Sequence, residues 1–377
     1  MMNHARTSMR TMGLLSALLL GLAASVAAQA AAPVEALDGL DPVLLVQGKE
    51  VAGKTDLAVV RGRFQYLFSS ADTKSTFEHD PGKYEIQLGG LCARMGKTAG
   101  GNPSDFLVYE GRIYIFGSDD CHKKFQAAPA KYLATPSPAM PASQDAGKKA
   151  AKLLDRAVEA LGGAQRIDGL TTYAETFSQV QKRQQGEAQI TIKTMWRFPD
   201  ATRVERTMTM GDRKMSSAQL VTPAGAWYLA QGHAYPAPEA GRPSIEMDLG
   251  RNPVVLMHAR RDAAFKAAAL GPATVAGMSV EQVRVRRGGV DVILGLDSAT
   301  ARIQTITFTD RNNEGEIGTY TLVYSDYRPV DGLTLPFSVR ALFNGEAEPS
   351  QTFTLEAIAL NPPLDAALFA TPAAGGL

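Results

Sequence analysis

From Ala188 to Leu360 the chain repeats one pattern, in which short segments of alternating apolar and polar side chains follow one another. In AQITIKTMWRF the alternate positions from Ile190 to Phe198 share one face of an extended strand, and LPFSVRALF alternates in the same way. Turn-forming sequences, among them RRGG, DRNNEGE, VDGL and NGEAEP, separate the segments. The pattern predicts a long antiparallel meander with one apolar face that other elements must cover.

Two segments have the apolar spacing of helices that could cover this face. AAKLLDRAVEALGG carries an apolar stripe through Leu153 and Leu161 and ends at Gly162. NPVVLMHARRDAAFKAAAL, residues 252–270, has Asn252 as a cap and a proline in its first turn. The fold class predicted for the chain is therefore α+β, with a few helices packed on a curved antiparallel sheet.

The first 30 residues have the parts of a secretory signal peptide. Arg6 and Arg10 precede an apolar run too short to span a bilayer, and a small-residue exit, AQA, follows. We expect residues 1–30 to be removed and the mature chain to be periplasmic, with no later segment that spans a membrane. Without the two arginines, 39 minus 2 leaves 37 basic against 38 acidic side chains, which gives no electrostatic case for binding nucleic acid.

The composition of ATPSPAMPASQDAGKK indicates a linker, because prolines alternate there with small and polar residues. We place the linker at residues 135–147, a first domain at 31–134 and a second at 148–377. A mature chain of this length exceeds one ordinary domain of ~100–200 residues.

The first domain contains an internal repeat. Residues 64–84 align with residues 112–132 at a constant offset of 48, and phenylalanine, proline, lysine and tyrosine recur at matching positions. Each copy predicts a strand that ends in an aromatic residue, a short helix with a buried phenylalanine, and a proline-led exit to a tyrosine. We expect the two copies to pack equivalently around one small core.

The same region resembles a periplasmic YHS domain over about residues 37–133, on the strength of YLFSSADTKSTFEHDPGKY, GGLCARMG and VYEGRIYIF. The second copy is also similar to the TRASH-type metal-binding module. In that comparison Cys92 stands at the family's first cysteine and Cys121 at its last, while Gly117 replaces the middle one.

These are the only cysteines of the chain, and three interpretations of them stay open. In an oxidising compartment Cys92 and Cys121 could form a disulfide. With His122 they could instead supply three ligands to a transition metal, the only cofactor that the sequence suggests. Either sulfur could also be a reactive thiol. In each case we expect the two sulfurs to lie close together.

The second domain resembles the superfamily of the outer-membrane lipoprotein carrier (LolA-like). The resemblance rests on ALGGAQRIDGLTTY, WRFPDATRVE, GAWYLAQG, LGLDSATARI, YSDYRPVDGLTLPFSV and LNPPLDAALF, which occur in order across nearly the whole domain. It implies a curved antiparallel half-barrel with helices at its mouth and an apolar or acyl ligand inside. We expect the cavity to be lined by Trp196, Phe198, Trp227, Leu335, Phe337 and Val339.

No motif of catalysis occurs, since the chain contains no HExxH, Walker loop or GxGxxG. We therefore expect a non-enzymatic binding protein whose partner is an apolar small molecule, a lipid or a lipoprotein, with the YHS-like domain as an accessory. The alternative is a periplasmic metal or redox protein that acts through Cys92 and Cys121.

Overall fold

The structure, a computed structural model, describes residues 32–134, 137–183 and 186–372, and from Pro33 onward they belong to one compact unit. The predicted signal segment lies outside the described residues. Within these ranges no helix combines the length and the apolar character needed to cross a membrane.

The N-terminal part is built from short elements. They are β1 (Val34–Glu35), α1 (Pro42–Val46), β2 (Lys54–Arg61), β3 (Phe64–Phe68), α2 (Ala71–His79), α3 (Pro81–Tyr84), β4 (Leu91–Cys92), β5 (Gly96–Gly100), β6 (Asn102–Tyr109), β7 (Arg112–Phe116) and α4 (Asp119–Ala127). Strands β1, β3 and β2 form one sheet, and β4 with β5 and β6 with β7 form two-stranded pairs.

The repeat is confirmed as two strand–helix units, β3 with α2 and β7 with α4. Ser70 and Ser118 cap the two helices at equivalent positions, and Phe77 and Phe125 are fully buried. The prediction of one shared core is wrong, because the copies have separate cores on the two faces of β7. Alternation along this strand sends its isoleucines into the first core and its aromatic residues into the second.

The remaining strands form a single large antiparallel sheet. They are β8 (Thr172–Arg183), β9 (Gly186–Arg197), β10 (Ala201–Met210), β11 (Arg213–Thr222), β12 (Gly225–Ala230), β13 (His233–Pro236), β14 (Lys266–Val275), β15 (Met278–Arg287), β16 (Val290–Asp297), β17 (Ile303–Arg311), β18 (Ile317–Val330), β19 (Leu333–Phe343), β20 (Glu346–Ala347) and β21 (Phe353–Leu360). The order is β13-β12-β11-β10-β9-β8-β21-β19-β18-β17-β16-β15-β14, with β20 beside β19. The sheet is curved and does not close into a barrel, since its path runs from β13 at one end to β14 at the other.

Four helices accompany this sheet, namely α5 (Gln144–Leu161), α6 (Ala164–Asp168), α7 (Arg242–Gly250) and α8 (Pro253–Ala259). The predicted helix before Gly162 is confirmed as α5, which Ser143 caps and which ends at Gly162 with a positive φ of 124°. Its apolar stripe packs against β14 and β19 and fills the largest core of the molecule.

The prediction of a helix over residues 252–270 is correct only in its first half. Asn252 caps α8 as expected, but the helix ends at Ala259 and the alanine-rich remainder is strand β14. Ala267 and Ala269 pair with Val285 and Val283 of β15. The pairing and the burial it provides override the helix propensity of alanine.

A polar contact surface joins the N-terminal part to the hairpin between β17 and β18. The Arg311 guanidinium donates to the carbonyl oxygens of Arg94 at 2.9 Å and Tyr132 at 2.8 Å, and Lys131 pairs with Glu316 at 2.8 Å. Gly96, at a φ of +60°, permits the approach, because a Cβ there would lie 2.6 Å from Arg311 Nε.

Candidate functional site

The concave side of the large sheet holds a cavity of about 490 Å³. About half of its lining residues are aromatic or aliphatic, and the rest are polar or charged. The apolar lining residues are Met95, Phe177, Ile192, Trp196, Val204, Leu249, Phe308, Tyr320, Leu322, Tyr324 and Phe353. A volume of this size is within the ~300–1,000 Å³ typical of small-molecule sites.

A second cavity of about 690 Å³ adjoins the first. They are two parts of one trough along the sheet, because both are lined by Phe177, Ile192, Arg206, Asn313, Gln351 and Phe353. The rings of Phe177 and Phe353 stack with their centroids 4.0 Å apart at the junction. We call the combined space the trough.

Glu175 brings a carboxyl group into the wall of the trough. The Tyr173 hydroxyl and Asn252 Nδ2 both donate to Glu175 Oε1, the latter over 2.9 Å. Burial raises the pKa of Glu175, and these two donors only partly offset the shift. The neutral acid is thus favoured over a wider pH range than for a carboxyl group in water.

The trough also contains cationic side chains. Arg251 is paired with Asp248, and its guanidinium lies 4.5 Å from the centroid of the Phe308 ring. Arg206 lies at the junction of the two cavities and is exposed, and among the described residues no hydrogen bond or ion pair to its guanidinium is found. The lining therefore combines apolar walls with a few charged groups, which suits an amphipathic ligand.

Trp196 is the only one of the six predicted lining residues that lines the trough. Its indole Nε1 donates to Leu249 O over 3.1 Å. Phe198 stacks on His258 with the ring centroids 3.8 Å apart and lines a smaller cavity of about 290 Å³. Trp227 packs in a separate small cluster with Leu220.

The three predicted residues on β19 lie elsewhere. Leu335 and Val339 belong to the filled core, since α5 packs against β14 and β19 on that part of the sheet. Phe337 is buried beneath the guanidinium of Arg328, 4.6 Å from the ring centroid. None of the three lines the trough as described.

The two cysteines meet in the core of the second repeat copy. Cys92 is fully buried on β4, Cys121 is 7% exposed in the first turn of α4, and the two side chains pack in the same small core. Both sulfurs lie in this core, and their direct contact stays a prediction. Both are free thiols in the structure, and the disulfide stays a prediction.

Arg94 is the charged neighbour of this pair. Its Nη1 lies 3.7 Å from Cys121 Sγ and 3.3 Å from Asp120 Oδ2, while Nη2 reaches Glu314 Oε2 at 3.2 Å. Burial acts to raise the pKa of Cys121, but hydrogen bonds from Ser118 and Arg94 outweigh it and lower the pKa overall. Burial raises the pKa of Cys92, so the two thiols differ in acidity.

The structure does not assemble the predicted metal ligands. His122 is stacked on Phe116, and its Nδ1 lies 2.5 Å from Asp105 Oδ1. A Cβ at Gly117, where the related module has a cysteine, would lie 3.0 Å from the Gly100 carbonyl oxygen, so backbone occupies the space. Within the described ranges no group of three or more histidine, cysteine or acidic side chains is arranged to hold a metal.

Sequence reasoning missed Arg94, Glu175 and Arg251. Glu175 had a detectable signal, because it lies between Tyr173 and Phe177 on the apolar face of an alternating strand, where a charge is costly. The arginines gave no such signal, since their burial depends on contacts with Glu314 and Asp248 that only the fold defines.

Comparison with known proteins finds solved structures that are only distantly similar to this chain. No protein-family model matches the sequence, and no curated protein matches it. A domain described as an outer membrane lipoprotein-sorting protein, from Vibrio parahaemolyticus, is similar at 12% identity and a TM-score of 0.38, over 59% of this chain and 97% of that one. A LolA superfamily protein from Nitrosomonas europaea gives the same identity, coverage and TM-score.

Proposed function

We propose that the chain is a carrier or sensor that holds an apolar or acyl ligand in the trough, without catalysing a reaction. The observation that supports this most directly is the trough itself, an open and partly apolar space on one part of a sheet whose other part is covered by α5 and α8. Aromatic stacking at the junction and the few charged groups in the wall favour a ligand with a long apolar part and a polar end.

The test is the binding of a fluorescent fatty acid to the purified chain. Phe177→Asp would place a carboxylate in the apolar wall at the junction, and we expect affinity to fall at least about tenfold, or about 1.4 kcal/mol. Thr176→Asp is the matched control, because the neighbouring residue on β8 points to the opposite face of the sheet.

Probe binding by the wild-type chain and by the two variants distinguishes the possible outcomes. Saturable wild-type binding that Phe177→Asp removes and Thr176→Asp retains supports the proposal. Equal binding by both variants would place the probe elsewhere, and no saturable binding by the folded wild-type chain would contradict a carrier of acyl ligands.

The proposed place of action is the periplasm, with the predicted export segment 1–30 as its support. N-terminal sequencing of the chain recovered from a periplasmic fraction should then begin near Ala31. Recovery of the full-length chain from the cytosol would contradict this placement and leave the binding proposal to be judged separately.

A further inference from the structure

The two copies of the repeat differ in the side chains that they place at equivalent buried positions. In the first copy the third residue of helix α2, Thr73, donates its hydroxyl to the buried carboxylate of Asp41 over 2.6 Å. Ser69 adds two hydrogen bonds to that carboxylate, each 2.8 Å long, from its backbone nitrogen and its hydroxyl. These hydrogen bonds satisfy the buried carboxylate, so the first copy needs no further partner at this position.

In the second copy the equivalent third residue of the helix is Cys121, at an offset of 48 from Thr73, and it packs in the same small core as Cys92. Because the first copy packs without a cysteine at this position, the fold does not require a cysteine pair in the second copy. Arg94 adds a guanidinium that is 91% buried at its side chain, and its Nε has no hydrogen-bond partner among the described residues.

We propose that Cys92 and Cys121 form a reversible dithiol–disulfide couple that exchanges with low-molecular-weight disulfides, Cys121 reacting first and Cys92 resolving. The inference does not depend on the trough. Cys121 is the better placed nucleophile, because it is the less buried of the two thiols and has Arg94 Nη1 at 3.7 Å from its sulfur.

The exchange balances without a metal or further cofactor. The Cys121 thiolate attacks one sulfur of the external disulfide, and the released thiolate takes up the proton that Cys121 lost. The Cys92 thiolate then attacks Cys121 Sγ, and the second external sulfur leaves as a thiol with the proton from Cys92. Two protein thiols are oxidised by two electrons to one disulfide, and one external disulfide is reduced to two thiols.

The low exposure of Cys121 limits the size of the reactant. Cys92 is inaccessible and Cys121 is only 7% exposed, while the Arg94 beside it is paired with Asp120 and Glu314, whose side chains are well exposed. A small disulfide such as oxidised glutathione can approach such a sulfur more easily than a disulfide in a folded protein can. Arg94 acts as a positioning residue that favours the thiolate of Cys121.

The experiment equilibrates the full chain in glutathione buffers of varied ratio and counts free thiols by alkylation and mass analysis. We expect both thiols of the wild-type chain to disappear together and to return when reduced glutathione is restored. Cys92→Ser removes the resolving thiol, so a mixed disulfide with glutathione at Cys121 should accumulate at least about tenfold above the wild-type level.

Cys121→Thr is the matched variant, because it restores the residue that the first copy carries at this position. It should fold with an unchanged circular dichroism spectrum and form no mixed disulfide at Cys92. Arg94→Gln should move the pH midpoint of Cys121 alkylation upward, which a purely structural arginine would not do. A wild-type pair that stays wholly reduced or wholly oxidised across the buffers, or equal labelling of the two single-cysteine variants, would overturn the proposal.

Discussion

The two halves of the large sheet carry the same alternating pattern and differ in what covers them. Strands β14 to β16 and β19 pack with α5 and α8 in the largest core, and side chains such as Leu335 and Val285 are completely buried there. Strands β8 to β10 present a comparable face, and together with parts of β17, β18 and β21 this face remains open as the trough. An alternating strand thus specifies which side chains face inward, but the placement of a helix decides whether they fill a core or line a cavity.

The largest expected effect lies in the filled half. Leu335→Ala would leave a void in close-packed surroundings, and we expect the free energy of unfolding to fall by ~2–5 kcal/mol. Urea denaturation measures the change, and binding of the fatty-acid probe by the protein that remains folded should be retained. A loss of unfolding free energy below about 1 kcal/mol would mean that this half is less tightly packed than the complete burial of Leu335 indicates.

A smaller effect is expected for the same kind of truncation in the open half. Ile192 lines the trough, so Ile192→Ala enlarges an existing space and should cost only roughly 1 kcal/mol, below the usual range for a core site. The probe affinity should fall at the same time, because apolar contact is lost. If Ile192→Ala destabilised the chain as much as Leu335→Ala, the difference between the halves would disappear.

The smallest effect concerns the pH dependence of stability. The folded-state pKa of Glu175 is raised above its ordinary value of 4.5, so its ionisation costs stability as the pH rises through the folded-state pKa. Glu175→Gln should therefore match the wild-type chain below pH 4.5 and become relatively more stable toward neutral pH.

Urea titrations of both chains across this range measure the difference. Glu78→Gln, a change on the exposed face of α2, provides the control for a general effect of removing one acidic group. A difference between the Glu175 variant and the wild-type chain that did not change with pH would mean that the carboxyl group titrates normally.

Local patterns predicted the local structure well. The alternation of AQITIKTMWRF became strand β9, the stripe through Leu153 and Leu161 became α5, and the offset of 48 identified two equivalent strand–helix units. These features depend on neighbours in sequence, which is why a single chain is enough to recognise them.

The candidate site was less predictable, because it depends on contacts between distant residues. Trp196 lines the trough and its role in binding stays a prediction, while Leu335 lies under a helix that no feature of its own strand reveals. The grouping of Cys92 with Cys121 was suggested by their being the only cysteines and by the family resemblance, but the turn of His122 toward Asp105 depends on strand β6. The domain boundaries at 31–134 and 148–377 and the likeness to a YHS domain remain predictions.

Strand β21 joins the two halves of the sheet, because it pairs with β8 on one side and β19 on the other. Thr354 of β21 faces Ser178 of β8, a separation of 354 minus 178, or 176 residues. Each meander can assemble hairpin by hairpin from local contacts, but this joint must close a long loop, which slows folding. Until β21 arrives, β8 and β19 lack one neighbour each, and their free edges are where the unfinished chain is most exposed to pairing with another copy.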